Sequence, residues 1–242
     1  MEVHHHAHTA RKKWTHYFWE FLMLFLAVFC GFLAEYQLEH KIEKDRAKDF
    51  AVLMFEDLKK DTAFFKNCTD KFMMIKTHQD SLLLLLQSEF STIDRYKITW
   101  HWINSVWALN FISHHATYEQ MKNSGSLRYI HNIRLVNSMQ DYYNSLLPAI
   151  SHYHNIQSEL TEARIVPFIE DHISYQEADF LNSKMNVSNP EIFDWNKRTA
   201  IKLYNMISML MNQNLFLHDL YINAGKKAQE TMTILKEEYH LE

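Results

Sequence analysis

The sequence predicts an all-α protein, in which an N-terminal transmembrane helix continues into an antiparallel bundle of four to six helices. The 242 residues include three Gly and three Pro, far below the usual roughly 7% and 5%. Strand-rich proteins, by contrast, need turn residues about every 8 to 12 positions. No Gly or Pro lies between Gly31 and Gly125, so one helix can run on from the membrane into the domain.

Composition and charge limit the classes of function. A hydrophobic content of 47% in 242 residues is enough for one buried domain and a membrane anchor. The formal net charge of -4 arises from acidic and basic residues mixed along the chain, so nucleic acid is not an expected partner. Cys30 and Cys68 fall on either side of the predicted membrane boundary, and neither a disulfide nor a zinc framework is expected.

Residues 14–36 are predicted to form the transmembrane helix. The stretch from Trp14 to Ala34 contains one formally charged residue, Glu20, and at about 1.5 Å per residue it spans roughly the 30 Å hydrocarbon core. Trp14 at its start and Tyr36 just after its end are placed where amphipathic rings anchor a helix at the membrane interfaces. The membrane itself is therefore an expected partner.

A cleaved signal peptide and a buried or interfacial helix are the alternatives, because the uninterrupted uncharged stretch shrinks to residues 21–34 if Glu20 stays in the headgroup layer. Cleavage after Ala34 would place Phe32 where a signal peptidase requires a small residue. Lipoprotein processing at Cys30 would require a small residue in place of Phe29. An uncleaved anchor is therefore predicted.

The residues that flank the span predict its orientation. Residues 1–13 form a His-rich, basic tail that carries Arg11, Lys12 and Lys13 next to the span, which favours a cytoplasmic tail. Basic residues after the span, within residues 36–50, oppose this assignment. We predict a single-pass protein of the cytoplasmic (inner) membrane with residues 37–242, the helical domain, on the periplasmic side.

Two segments of the domain carry apolar stripes at alternating spacings of four and three, typical of helices packed against partners. The first stripe consists of Ala51, Phe55, Leu58, Thr62, Phe65, Thr69 and Phe72. The second consists of Leu203, Ile207, Leu210, Asn214, Leu217, Tyr221, Ala224, Ala228, Thr231 and Leu235.

The segments between these stripes predict shorter helices. A second helix should bury one face, close near Gly125 and be followed by a third helix from Leu127 that Ser126 caps. Pro148 and Pro167 should break the helical stretch that follows, and residues 182–190 should form a loop. The buried face of the second helix is predicted to hold Trp100, Ile103, Trp107 and Phe111.

Three passages carry a resemblance to a known family. They are HHHAHTARKKWTHYFWEFLMLFLAVFCGFLAEYQLEH at residues 4–40, TYEQMKNSGSLRYI at 117–130, and KEEYHLE at 236–242. Together they resemble an uncharacterised family of single-span helical membrane proteins of Bacteroidota, and the resemblance extends from one end of the chain to the other. It implies a location and an architecture, and no activity.

Histidines are the main candidate metal ligands. The cluster of His4, His5, His6 and His8 lies in the predicted tail and could wrap around a transition metal, although a partly protonated, membrane-proximal tail is the simpler explanation and is preferred. In the domain, adjacent or alternate histidines do not share one helix face, so surface or hydrogen-bonded core positions are predicted for them. These are His114, His115, His152 and His154.

Catalytic motifs are not found in the sequence. The one Glu-x-x-His match, Glu237 with His240, is a single pair at the chain end, whereas a di-iron bundle needs two. Glycine-rich phosphate loops, nucleophile elbows and His-Glu-x-x-His helices are also missing. We therefore predict a protein that is not an enzyme and needs no cofactor.

Two further groups of residues are candidates for binding. Five aromatic residues could line a ligand pocket, although core packing explains them with fewer assumptions; they are Trp100, Trp102, Trp107, Phe111 and Tyr118. A polar segment could form a binding loop or simply a turn between helices. Its residues are Thr117, Tyr118, Gln120, Lys122, Asn123, Ser124, Gly125 and Arg128.

One face of the predicted span favours helix association. Its residues are spaced by four and three, and Ala27 with Gly31 forms a small-xxx-small pair that lets two helices approach closely. The face comprises Glu20, Leu24, Ala27, Gly31 and Ala34. The leading hypothesis is a noncatalytic envelope scaffold or accessory subunit with a protein partner or a homo-oligomer. The alternative is a small-ligand or metal-sensing bundle without its own output domain, which should contain an enclosed polar cavity.

Overall fold

The chain divides into two compact units, Met1–Asp49 and Phe50–Glu242. The computed structural model describes residues 14–88, 94–106, 111–173, 192 and 194–241. The predicted tail, with its four clustered histidines, and the predicted loop at 182–190 lie outside the described residues. The fold is all-α, as predicted.

The first and last helices are the longest. Helix α1, Trp14–Gln87, contributes residues to both units. Helix α7, Lys197–Tyr239, begins at the cap residue Asn196, whose side chain accepts hydrogen bonds from the backbone of Arg198 and Thr199. Such a cap satisfies N–H groups that have no partner in the first helical turn.

Shorter helices connect them. They are α2, Arg95–Ser105; α3, Ala116–Asn123; a 3-10 turn, Ser126–Tyr129; α4, Ile133–Gln140; α5, Leu147–Leu160; and α6, Val166–His172. Two π-helical turns, Asp141–Leu146 and Thr161–Ile165, join α4 to α5 and α5 to α6. We call residues 133–172 the middle helix. We call residues 94–106 and 111–123, which contain α2 and α3, the return segment.

Side-chain contacts give the helix directions within the second unit. Phe65 packs on Tyr221, and Gln87 donates to Tyr204, so α7 runs antiparallel to α1.

The middle helix also runs antiparallel to α7, since Ser138 bonds Thr231 and Gln157 bonds Asn214. The return segment runs antiparallel to α1. This second unit is therefore an up-down-up-down bundle.

Two apolar clusters fill the bundle. One contains Leu58, Phe65 and Tyr142, and the other contains Leu82, Trp102 and Phe168. All ten residues of the predicted stripe on α7 are buried, which confirms that prediction. On α1 the buried seam is displaced from the predicted stripe, whose Phe55, Thr62 and Thr69 are only half-buried.

The prediction that two prolines would break the helix is wrong, because the middle helix continues through both of them. The N–H of Leu147 donates to the carbonyl of Tyr142, and that of Val166 donates to Thr161, each five residues back. A proline cannot donate to the carbonyl four residues before it and its ring collides with that group. The wide turns just before Pro148 and Pro167 relieve both conflicts.

The predicted second helix is two helices. Residues 111–115 are not helical, because the backbone N–H of His114 donates to the Asp61 carboxylate rather than to a helical carbonyl. Trp102, not Trp100, is the fully buried tryptophan of α2, and Trp107 lies outside the described residues.

The third helix begins later than predicted. Ser126 starts a 3-10 turn instead of capping a helix, and α4 is capped by Asn132, whose side chain accepts from the N–H groups of Arg134 and Leu135. Gly125 at φ 71° occupies the left-handed region that ends α3.

Candidate functional site

The buried seam of α1 contains polar residues at three positions. Seam residues recur at alternating spacings of three and four, as in knobs-into-holes packing. Asp61, Cys68 and Gln79 occupy positions of this seam and are at most 1% exposed. The complete seam in the second unit is Ala51, Met54, Leu58, Asp61, Phe65, Cys68, Phe72, Ile75, Gln79 and Leu82.

Asp61 is held by three hydrogen bonds. One carboxylate oxygen accepts from the backbone N–H of His114 at 3.0 Å and lies 2.7 Å from the His114 ring Nδ1. The other accepts from the phenol of Tyr142 at 2.7 Å. Burial of a charged group requires such partners, so Asp61 ties the return segment and the middle helix to α1.

A second layer of polar contacts surrounds this carboxylate. Thr117 donates to Asp57 at 2.5 Å, and Tyr118 stacks on Tyr143 with ring centroids 4.4 Å apart. The Tyr143 hydroxyl is buried without a hydrogen-bond partner in the described part of the chain. Burial, followed by the negative charges of Asp61 and Asp57, raises the pKa of Tyr143.

Cys68, Tyr221 and His154 form a third buried group. The hydroxyl of Tyr221 is hydrogen-bonded to His154 Nε2 and to the Cys68 thiol. Burial raises the pKa of Cys68 to about 12 and lowers that of His154 to about 4. At neutral pH the thiol is protonated and the imidazole is neutral, so Nε2 can accept a hydrogen bond from the Tyr221 hydroxyl.

Two contacts hold α2, at the start of the return segment, against α1. His78 and His101 place their Nδ1 atoms 3.1 Å apart, and burial lowers the pKa of both rings. The Gln79 amide donates to the carbonyl of Ser105 at 3.1 Å. No cluster of three or more metal-ligating side chains occurs among the described residues.

These polar groups position helices rather than face solvent. Asp61 is 1% exposed and Cys68 is 0% exposed, so neither side chain can meet a molecule in solution without opening of the bundle. As predicted from their spacing, His114 and His154 are hydrogen-bonded histidines. His115 is exposed and lies 2.8 Å from the Ser113 hydroxyl.

The surface has a distinct uncharged face on α5 and α7. Residues 142–158 and 203–218 contain no Asp, Glu, Lys or Arg, and these two segments meet where Tyr153 lies against Phe216 and Gln157 bonds Asn214. Phe216 and Met209 are 45% and 47% exposed, and the Phe216 ring lies 4.2 Å from the ring of Tyr153. We call this surface the uncharged face.

The polar segment at 117–128 divides between interior and surface. Thr117 and Tyr118 are buried in the network around Asp61. The rest of the group surrounds the turn at the end of α3 and is exposed: Gln120, Lys122, Asn123, Ser124, Gly125 and Arg128.

The predicted association face of the span is exposed throughout. Glu20 lies 3.2 Å from His16 on the preceding turn, and a Cβ at Gly31 would have no heavy atom within 4 Å. No part of the most apolar 18-residue window is buried within the described chain. By length and composition, α1 could cross a membrane.

The chain matches no protein-family model, no curated protein and no solved structure. The resemblance to the Bacteroidota family therefore stays a prediction.

The seam residues Asp61, Cys68 and Gln79 were missed by sequence reasoning, which placed Thr62 and Thr69 on the buried face instead. A signal existed, because Asp61 and Cys68 continue the seven-residue repeat of Met54 at intervals of seven. An acidic residue at a seam position is compatible with burial when a polar network satisfies it.

Proposed function

We propose that this chain is a noncatalytic, membrane-anchored protein of the cell envelope whose bundle binds another protein. The uncharged face of α5 and α7 is the observation that supports the proposal most. The centres of protein interfaces are depleted in charged residues and enriched in aromatic residues and Met. Phe216, Met209 and Tyr153 supply those side chains on one surface.

Desolvation favours this face over the rest of the bundle. A partner centred on Phe216 and Tyr153 removes apolar area from water, and none of residues 152–158 or 212–218 around them carries a formal charge whose hydration would be lost. The exposed surface of α1, by contrast, carries Lys59, Lys60 and Lys66. A partner that covered this surface would remove water from their ammonium groups.

Anchoring concentrates such a protein at the membrane. The apolar stretch of α1 near the N-terminus supports a single span, and the basic residues before it support a cytoplasmic tail and a periplasmic bundle in the inner membrane. Anchored chains meet partners within the same membrane, so an interface of modest affinity suffices for assembly.

Site-specific photocrosslinking tests the protein-binding proposal. The photoreactive residue p-benzoylphenylalanine is placed at Phe216 in the full chain, which is expressed in its native membranes and irradiated. A matched variant carries it at Glu230, which is also exposed on α7.

A discrete adduct from position 216 and none from position 230 is expected, and its mass identifies a second protein or a second copy of the chain. Equal adducts from both positions, or none from 216, would contradict the proposal.

Protease accessibility tests the topology separately. Protease added to intact spheroplasts should digest the bundle and spare residues 1–13. Digestion only after lysis would reverse the orientation, and a mature N-terminus at Glu35 would show that the anchor is removed.

A further inference from the structure

An open groove runs along the surface between α1 and α7, away from the uncharged face. It has a volume of about 450 Å³ and extends from Lys59 to Thr69 on one helix and from Tyr221 to Met232 on the other. At about 1.5 Å per residue, each wall is roughly 15 Å long. The volume of the groove falls within the range of about 300–1,000 Å³ that is usual for sites of small molecules.

The groove combines an apolar floor with a basic rim. Phe65 and Ile222 line the floor, and Lys59, Lys66 and Lys226 line the walls. The described residues that line it include no carboxylate. A molecule that fills it must therefore be apolar along its body and is favoured if it carries a negative charge.

The lysines are available to such a molecule. Neither Lys66 nor Lys226 forms an ion pair with a carboxylate that the structure describes, and Lys59 has only a 3.8 Å contact with Glu56. The nearest acidic residue of α7, Glu230, is instead bound to Lys227 at 2.8 Å. Two of the three groove lysines, Lys66 and Lys226, are thus not paired with a carboxylate of the described chain.

Gly225 gives the groove its depth. Its backbone does not need glycine, because it lies inside α7 without a positive φ. A Cβ there would lie 3.9 Å from the Phe65 Cβ, which is an ordinary contact. Glycine is the least favourable helix residue after proline, yet packing does not require it at this position. Its effect is to leave space over the floor.

We infer that this groove binds a single-chain anionic amphiphile, such as a fatty-acid carboxylate. The hydrocarbon chain lies along Phe65, Ile222 and Gly225, and the carboxylate lies between Lys66 and Lys226. Binding at this groove is independent of a protein partner on the uncharged face, since different surfaces of α7 are involved.

Photoaffinity labelling of the full chain tests the inference. The chain is reconstituted in nanodiscs of zwitterionic phosphatidylcholine and irradiated with dodecanoate that carries a diazirine on its chain. Peptide mapping by mass spectrometry should find the label in residues 59–69 and 222–232, in addition to the background in residues 14–36 that any lipid-soluble probe produces. The matched dodecylamine probe should label residues 14–36 and spare the groove.

Variants separate charge from shape. The double variant Lys66→Gln/Lys226→Gln should lower groove labelling by about fivefold or more, as expected for loss of two partly exposed ionic contacts. The control Lys71→Gln/Lys202→Gln removes one exposed lysine from each helix outside the groove and should leave the labelling unchanged. Gly225→Leu should abolish it by filling the groove, with the helical circular dichroism signal retained; Gly225→Ala is the milder variant if leucine perturbs folding.

Three results would overturn the inference. They are a label confined to residues 14–36, equal groove labelling by the amine probe, and groove labelling that is unchanged in both the double glutamine variant and the Gly225 variants.

Discussion

The phenol of Tyr142 donates a 2.7 Å hydrogen bond to the carboxylate of Asp61, and both side chains are buried. This contact joins the middle helix to α1, and His114 brings the return segment to the same carboxylate. One acidic side chain therefore connects three helical segments of the bundle.

Removing that carboxylate should destabilise the fold strongly. Asp61→Ala leaves three donors without their acceptor, so we expect the free energy of unfolding to fall by about 3 kcal/mol or more. Tyr142→Phe leaves one carboxylate oxygen unpaired and should cost about 1–3 kcal/mol. Denaturant unfolding of the full chain, followed by circular dichroism, measures both.

The control Glu119→Ala breaks an exposed pair with Lys122 and should change stability by about 0.5 kcal/mol or less. A comparable loss of stability in all three variants would contradict a special role for Asp61.

Stability should fall in mild acid because of His154. Burial lowers the pKa of this ring from 6.5 to about 4, so the folded state favours the neutral imidazole and the unfolded state binds a proton more readily. The contribution of neutral His154 to the free energy of unfolding is fully present above pH 6.5. It is lost as the pH falls from 6.5 to 4. With a discount for partial exposure, the loss is about 1–2 kcal/mol.

Two neighbouring substitutions check this assignment. His154→Gln keeps a hydrogen-bonding side chain that does not ionise. The unfolding free energy of this variant should therefore depend less on pH between 6.5 and 4 than that of the unmodified chain. His152→Gln alters an exposed ring two residues away and should keep the original dependence. The same pH profile in both variants would assign the effect to other groups, such as His78 and His101.

Cys68 should be inert until the bundle opens. Its thiol is 0% exposed, and burial raises its pKa to about 12, whereas the reactive species is the thiolate. In a Cys30→Ser chain, a thiol-specific disulfide reagent at pH 8 should react with Cys68 only when denaturant is added. A Cys30→Ser/Cys68→Ser/Thr77→Cys chain supplies an exposed reference thiol that should react at once; equal rates for the two thiols would contradict burial of Cys68.

The span should associate through the face that contains Glu20 and Gly31. Gly31→Ile blocks close approach of two helices, and Glu20→Ala removes a polar group that can hydrogen-bond across an interface. Each should weaken the signal in a membrane two-hybrid assay, whereas Phe25→Leu, on another side of the helix, should not. Identical signals from the three variants would show that this face contacts lipid.

All ten stripe positions of α7 could be predicted, because its buried positions from Leu203 to Leu235 are occupied almost entirely by apolar or small residues; Met206 and Ile234 are buried as well and were not predicted. On α1 the prediction followed hydrophobicity and moved one position away from the seam at Asp61 and Cys68. Long-range partners decide that register, since the burial of Asp61 depends on His114 and Tyr142, which are 53 and 81 residues away in sequence.

The uncharged face could not be assigned from the sequence, although the runs without charge were present in it. Residues 142–158 and 203–218 are far apart along the chain, and only the antiparallel pairing of Gln157 with Asn214 brings them together. The groove likewise depends on which residues of α1 and α7 are opposite each other. Pairing of this kind is a tertiary property, which local periodicity does not encode.

The wide turns before Pro148 and Pro167 bear on how the length of this chain can vary. Each turn holds one residue more than an ordinary helical turn, so a related chain could lack one residue within 141–146 and carry an amino acid other than proline at position 148. It would then form an uninterrupted α-helix, and Gln157 would still face Asn214. Insertions and deletions are usually sought in loops. In this protein, alignments should allow them inside the middle helix, where each extra residue is accompanied by a proline.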